Sequence, residues 1–178
     1  MRRSANKIIV LALFFVAILS SSIAQELSRI GIVNPMQVME KSAEGKSILA
    51  RLEKKSKENQ DKLVKMDDQI RDLETRINTQ RLTLTQESLM NMSSDLERKR
   101  TDRKRFAEDS YREFTQLRDR LFNKVKQELI PIIEQIGKER NMVAIFDLTN
   151  SGVIYFIPTI DLTEEVIKKY DASKASKK

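Results

Sequence analysis

The chain contains no cysteine and no histidine, and only four glycines and three prolines in 178 residues. Without cysteine there is neither a disulfide framework nor thiol redox chemistry. Without histidine the usual general base and the commonest transition-metal ligand are missing. The carboxylates are scattered among lysines at helical spacing, the pattern of a solvated helix face with i to i+4 pairs. No nucleophile and base stand together, so the residues predict no catalytic site, no metal, no cofactor and no enzyme.

The scarcity of helix breakers is local. Between Lys46 and Ile136 there is no glycine and a single proline, Pro131. One polar stretch, Gln80 to Ser88, interrupts this run, with Thr83 three residues before Gln86 in capping-box spacing. It reads as the turn between two long antiparallel helices. Before it, Leu49, Leu52, Leu63, Met66, Ile70, Leu73, Ile77 and Leu84 follow 3-4 spacing, with Ser56, Asn59 and Gln80 as polar members. Such a seam packs against a partner helix as in a coiled coil. After the turn Leu89, Met92 and Leu96 continue it, and Lys99 and Arg103 then occupy seam positions. The apolar stripe restarts on a shifted phase at Ala107, Tyr111 and Phe114, which read as hairpin core, and runs on through Leu121, Val125, Leu129, Ile132 and Ile136. An arm of about 35 paired residues reaches roughly 50 Å, beyond what a core of this size requires.

Residues 1–24 read as an export signal. Arg2, Arg3 and Lys7 form a basic start, Ile8 to Leu19 is unbroken apolar sequence, and Ser22-Ile23-Ala24 is a small-x-small cleavage site. The alternative, a retained anchor, asks an apolar run to cross a bilayer that needs about 20 residues. With the leader gone the net charge of +7 falls to +4, since three cations and no carboxylate leave with it. The surplus is concentrated in Arg98, Lys99, Arg100, Arg103, Lys104 and Arg105, interrupted only by Thr101 and Asp102.

Residues 25–45 and 130–171 compose a small β-containing hub, 46–129 the helical arm, and 172–178 a disordered basic tail. In the hub, Ile30 and Ile32 share one face of a short strand ended by Pro35, and Met36 to Lys41 make a helical turn or two, with Gly45 closing this segment. Pro131 should kink or restart the returning helix. Met142–Phe146 and Val153–Ile157 read as a hairpin of strands about a turn at 148–152. A short helix follows from Leu162 to Tyr170, capped by Asp161 or Thr163. Both hairpin strands are apolar on both faces, so both faces need cover. Self-association through Ile30, Ile32, Val143, Ile145, Ile154 and Phe156 supplies it, and a monomer covered by its own helices is the other solution. The fold class is therefore α+β, mostly α: a long antiparallel helical hairpin on a small β hub that assembles by oligomerisation.

This order of elements behind a leader resembles the Skp (OmpH-like) family of periplasmic chaperones. The likeness rests on Ile30-Gly31-Ile32-Val33-Asn34, Val38-Met39, Ser42-Ala43-Glu44-Gly45-Lys46 and the ending Asp161-Leu162-Thr163-Glu164-Glu165-Val166-Ile167-Lys168-Lys169-Tyr170. Arg140-Asn141 stands where many members carry a glycine and an aromatic, with Asn141 available as the left-handed cap. The resemblance implies a periplasmic homotrimer that encloses unfolded outer-membrane proteins between its arms, an ATP-independent holdase. The basic cluster then offers contact to acidic clients, anionic lipid or lipopolysaccharide, against the plainer reading of a charged face that keeps the tip soluble. Export leaves nucleic acid without a physiological role as partner. Met90 and Met92 suit promiscuous apolar contact, or else pack in the seam. A structural coiled-coil adaptor of the cell envelope is the competing function.

Overall fold

The computed structural model describes residues 30–176. The leader, its cleavage site and the last two lysines of the tail lie outside the described residues. In order, β1 (Ile30–Val33), α1 (Pro35–Lys41), α2 (Ala43–Gln80), α3 (Gln86–Glu139), β2 (Ala144–Asp147), a 3₁₀ turn (Pro158–Ile160) and α4 (Thr163–Ala175) make a mostly helical chain with one small sheet. They divide into two compact units, one of residues up to Lys46 and from Lys124 onward, the other Ser47–Asn123.

In the first unit β1 and β2 pair in parallel, Ile30 opposite Ala144 and Val33 opposite Asp147. On its other edge β1 meets Asp161, and the Leu162 amide donates to the Ile32 carbonyl at 2.9 Å. The expected antiparallel hairpin is therefore absent among the described residues: β2 takes one edge of β1, Asp161 the other, and Val153–Ile157 lies outside any strand. Asp147 turns the chain away, its carboxylate accepting from the Thr149 amide and the Asn150 side chain, both at 2.8 Å, and its carbonyl from the Ser151 amide at 2.9 Å. This Asx turn competes with a strand that would continue straight back.

The elements start and stop for local reasons. Asn34 Oδ1 accepts from the amides of Met36 and Gln37 at 3.1 and 3.2 Å, with Pro35 opening α1. The break between α1 and α2 is Ser42, fully buried, whose Oγ accepts from the Gly45 amide at 3.1 Å. Gly45 thus lies inside α2 rather than closing the segment before it, and a Cβ there would sit 2.0 Å from the Met39 carbonyl oxygen. Pro131 does not restart the helix, since α3 runs through to Glu139. The residue left without a donor, Gln127, is exposed, where water can satisfy it. At the end of α3, Asn141 adopts φ 52° and the Met142 amide reaches the Gly137 carbonyl at 2.8 Å, a Schellman closure built on asparagine.

The core of this unit gathers Val33, Val38, Met39, Val125, Leu129, Ile136, Leu162, Val166 and Tyr170, each 3% exposed or less. Tyr170 donates to Glu128 Oε2 at 2.6 Å, and Lys174 reaches the same oxygen at 2.6 Å. Asp171 accepts from the Ala43 amide at 2.9 Å. These ties carry α4 past Tyr170 to Ala175, so residues 172–175 are helical where a disordered tail was expected.

In the second unit the two helices meet along a half-buried seam. Leu63, Met66, Ile70 and Ile77 of α2 are partly buried and Leu73 is buried. In α3 the stripe does not change phase after Arg103: Phe106 and Ser110 continue it, Ser110 at 7% exposure, while Tyr111 stands 74% exposed. The cap of α3 is Thr85 rather than Thr83, its Oγ1 accepting from the Ser88 amide at 3.2 Å.

Candidate functional site

The basic segment of α3 is largely engaged with α2 and with its own helix. Arg103 forms a two-pronged contact with Asp67, at 2.8 and 3.0 Å. Arg100 bridges Glu74 and Glu97 at 2.6 Å each, Arg98 pairs with Asp95 at 2.5 Å, and Lys99 approaches Gln69 at 3.5 Å. Hydrogen bonding to Arg103 holds the Asp67 carboxyl below its ordinary range, against the opposing effect of burial. Lys104 and Arg105 are exposed and without an ion-pair partner among the described residues. Half of the six cations are thus ion-paired, and two of them, Arg100 and Arg103, meet carboxylates that the antiparallel register of α2 brings opposite them.

Of the two methionines, Met90 is 66% exposed and Met92 is partly buried in the seam. Among the exposed apolar side chains that escaped the sequence reading are Leu82 at the turn, 98% exposed, and Tyr111. Leu82 lies in the polar interruption, where no periodicity flagged it. Tyr111 was masked by the assumed phase change. Lys62 sits 4.2 Å from the centre of the Phe106 ring, a further contact between α2 and α3.

The six residues expected at an association surface separate into three groups. Ile32 is 2% exposed and belongs to the chain's own core. Ile145 and Phe156 are partly covered, whereas Ile30, Val143 and Ile154 are 41%, 69% and 101% exposed. Tyr155, at 83%, joins Ile154 on the unpaired stretch. A small apolar cavity of about 150 Å³ lies beside β2, lined by Leu129, Ile130, Ile133 and Phe146 with Lys126 and Asp147 at its rim. Asp147 is drawn towards a higher pKa by burial, but hydrogen bonds from Asn150 and Thr149 outweigh that and hold it low. Among the described residues no group of three or more carboxylates is placed to hold a metal, and no helix is long and apolar enough to cross a membrane.

A long helical hairpin with isolated apolar residues on a charged surface, together with a small parallel strand pair, defines a fold of the helical-arm type. The family profile described as outer membrane protein (OmpH-like) matches residues 29–170, and the chain belongs to that OmpH-like family. The crystal structure of a Caulobacter crescentus protein classed as an OmpH-like outer membrane chaperone is similar, with a TM-score of 0.73 at 20% identity over 82% of this chain and 85% of that one. At that identity the likeness establishes the fold. No curated protein matches.

Proposed function

We propose that this chain is an ATP-independent periplasmic holdase, exported with cleavage after Ala24, that binds unfolded outer-membrane proteins in a cavity between the helical arms of a homotrimer. It has no catalytic role in this reading. The observation that carries it is the isolation of Leu82, Met90 and Tyr111, with Val64 and Leu49 less open, exposed one at a time on a highly charged hairpin. Single apolar contacts of this kind are weak and numerous, and lysine and arginine stems add apolar area while their heads stay wet. A client strand that alternates apolar and polar residues can be held this way without being trapped. Confinement then lowers aggregation by mass action on the unfolded chain. Exposed Val143, Ile154 and Tyr155 supply the apolar surface through which copies associate. Lys104 and Arg105 remain available for anionic lipid or lipopolysaccharide.

The adaptor reading draws support from the seam, which runs on through Phe106 and Ser110 and is bridged by the arginine pairs, as a stiff rod requires. The test is light scattering of a chemically unfolded outer-membrane barrel protein diluted into buffer with and without this protein, coupled to mass determination. A soluble complex of three chains with one client is expected. Precipitation of the client beside an untouched oligomer would transfer the assignment to the adaptor.

A further inference from the structure

Within Ser47–Asn123 the hairpin has two chemically different sides. Among the described residues, the exposed large apolar side chains on its helices are Leu49 and Val64 of α2 and Met90 and Tyr111 of α3. Each stands one position after a residue of the seam, Ile48, Leu63, Leu89 or Ser110, all buried or partly buried. One residue is a rotation of roughly 100° about a helix axis. In an antiparallel pair that step turns both helices towards the same side. Glu74 and Arg100 demonstrate it, since each follows a seam residue, Leu73 or Lys99, and they meet across the helices at 2.6 Å. Charge on this side is largely cancelled in pairs: Asp67 with Arg103, Arg71 with Asp68, and Arg100 with both Glu74 and Glu97. One step back from the seam lies the other side, which carries Arg51, Lys65, Asp102 and Arg105 and none of those exposed apolar side chains.

Met90 is the one member of this apolar stripe that carries sulfur. The chain has no cysteine, so its methionine thioethers are its oxidisable sulfurs. On the hairpin Met66 and Met92 lie partly buried in the seam, whereas Met90 is 66% exposed. In the other unit Met39 is buried and Met36 is 46% exposed. We propose that Met90 is a site of reversible oxidation, at which a peroxide lowers the affinity of this side of the hairpin for its clients. The sulfur lone pair attacks one oxygen of hydrogen peroxide, an S–O bond forms as the O–O bond breaks, and water leaves. Sulfur gives up two electrons and the peroxide is reduced. The sulfoxide is polar where the thioether was apolar, and a sulfoxide reductase restores it. Because the Met90 side chain points away from the seam, the hairpin keeps its fold and loses only a contact. Oxidation of Met92 would instead act by loosening the two helices. The site follows from exposure and placement; its consequence for clients rests on the holdase reading.

Treatment of the folded full chain with hydrogen peroxide, followed by digestion and mass spectrometry, gives the rate at which each sulfoxide forms. Met90 should oxidise first, ahead of Met36, with Met66 and Met92 later and Met39 last. Helicity by circular dichroism should not change. The dissociation constant for a chemically unfolded outer-membrane barrel protein should rise about fivefold on treatment, the effect of losing one apolar contact. Met90→Leu keeps an apolar side chain without the sulfur, and peroxide should change its dissociation constant by less than about twofold. Met36→Leu should remain as sensitive to peroxide as the parent. Met90→Gln, polar without any oxidant, should start about fivefold weaker than the parent. Oxidation of Met92 as fast as Met90 overturns the assignment of the site. Equal losses in the parent and in Met90→Leu overturn its effect, because the loss then comes from another residue. A fall in helicity as Met90 oxidises overturns it too, since contact and fold would be lost together. If the untreated protein retains no client, the holdase reading fails, and the modification site is decided by the order of oxidation alone.

Discussion

The two units of this chain are held by different means. In the unit containing the sheet, Val38, Ile136, Val166 and Tyr170 are completely buried. Within Ser47–Asn123 nothing is more buried than Ile48 at 5%, and most seam residues are only partly covered. The first is stabilised by packing that tolerates little change. The second relies on partial apolar contact, ion pairs and helix propensity, each contributing little alone and each replaceable. A surface meant for many different partners is better built from the second kind of unit than from the first.

The sharpest way to break this contrast is to cut the same number of atoms from each. Leu129→Ala should lower stability by about 2–5 kcal/mol, the range for emptying a tight core. Leu63→Ala, in the half-buried seam, should cost less than half as much by urea unfolding. Equal losses would mean that the seam is packed as tightly as the hub. Next in size is Gly45→Ala. Its Cβ would meet the Met39 backbone at 2.0 Å, so a loss of about 1–3 kcal/mol is expected, the usual cost of overpacking.

Tyr170→Phe removes the hydrogen bond to Glu128 and should cost about 1 kcal/mol near neutral pH. The pH dependence is more telling. Burial first, then the Glu128 carboxylate, push the Tyr170 phenol well above its ordinary value. A group with a raised folded pKa contributes stability that is intact below its unfolded value, about 10 for tyrosine, and is lost as pH rises beyond it. Alkaline unfolding should therefore be later in Tyr170→Phe relative to its own neutral stability. An unchanged alkaline profile would show that the phenol is freely solvated.

Glu128 runs in the opposite sense. Burial alone would raise it, but hydrogen bonds from Lys174 and Tyr170 prevail and hold it low. Its contribution is present above the unfolded glutamate value of about 4.3 and disappears as pH falls through the lower folded value. Glu128→Gln should flatten the acid limb of the stability curve. The smallest effect belongs to Arg103→Ala in the hairpin, where solvent screens the pair with Asp67. The unfolding midpoint should hardly move, and what change there is should vanish in high salt.

The long helices were legible because their evidence is an absence: no glycine and one proline from Lys46 to Ile136. Asn141 could be read as a left-handed cap because few other residues tolerate that backbone. The sheet was misread for a reason of a different kind. Met142–Phe146 and Val153–Ile157 look alike locally, and strand propensity says nothing of partner. The choice fell to a distant segment, Ile30–Val33, and to the turn chemistry of Asp147. The arginine pairs were hidden because they depend on register. That register is set by a turn capped at Thr85, two residues later than the spacing of Thr83 and Gln86 suggested. Phe106 and Ser110 went unnoticed as seam residues because Ala107 and Tyr111 offered an apolar stripe one position away.

The placement of β1 between β2 and Asp161 has a consequence for the order in which the protein comes into being. The strand nearest the N-terminus has both of its neighbours near the C-terminus. Contacts so distant in sequence form slowly, because a long loop must close before they are rewarded. During synthesis the helices of the hairpin can form as they emerge, but the sheet cannot close until the chain has been made as far as Leu162. Such a late-closing hub works as a built-in delay between the appearance of the hairpin and the completion of the sheet.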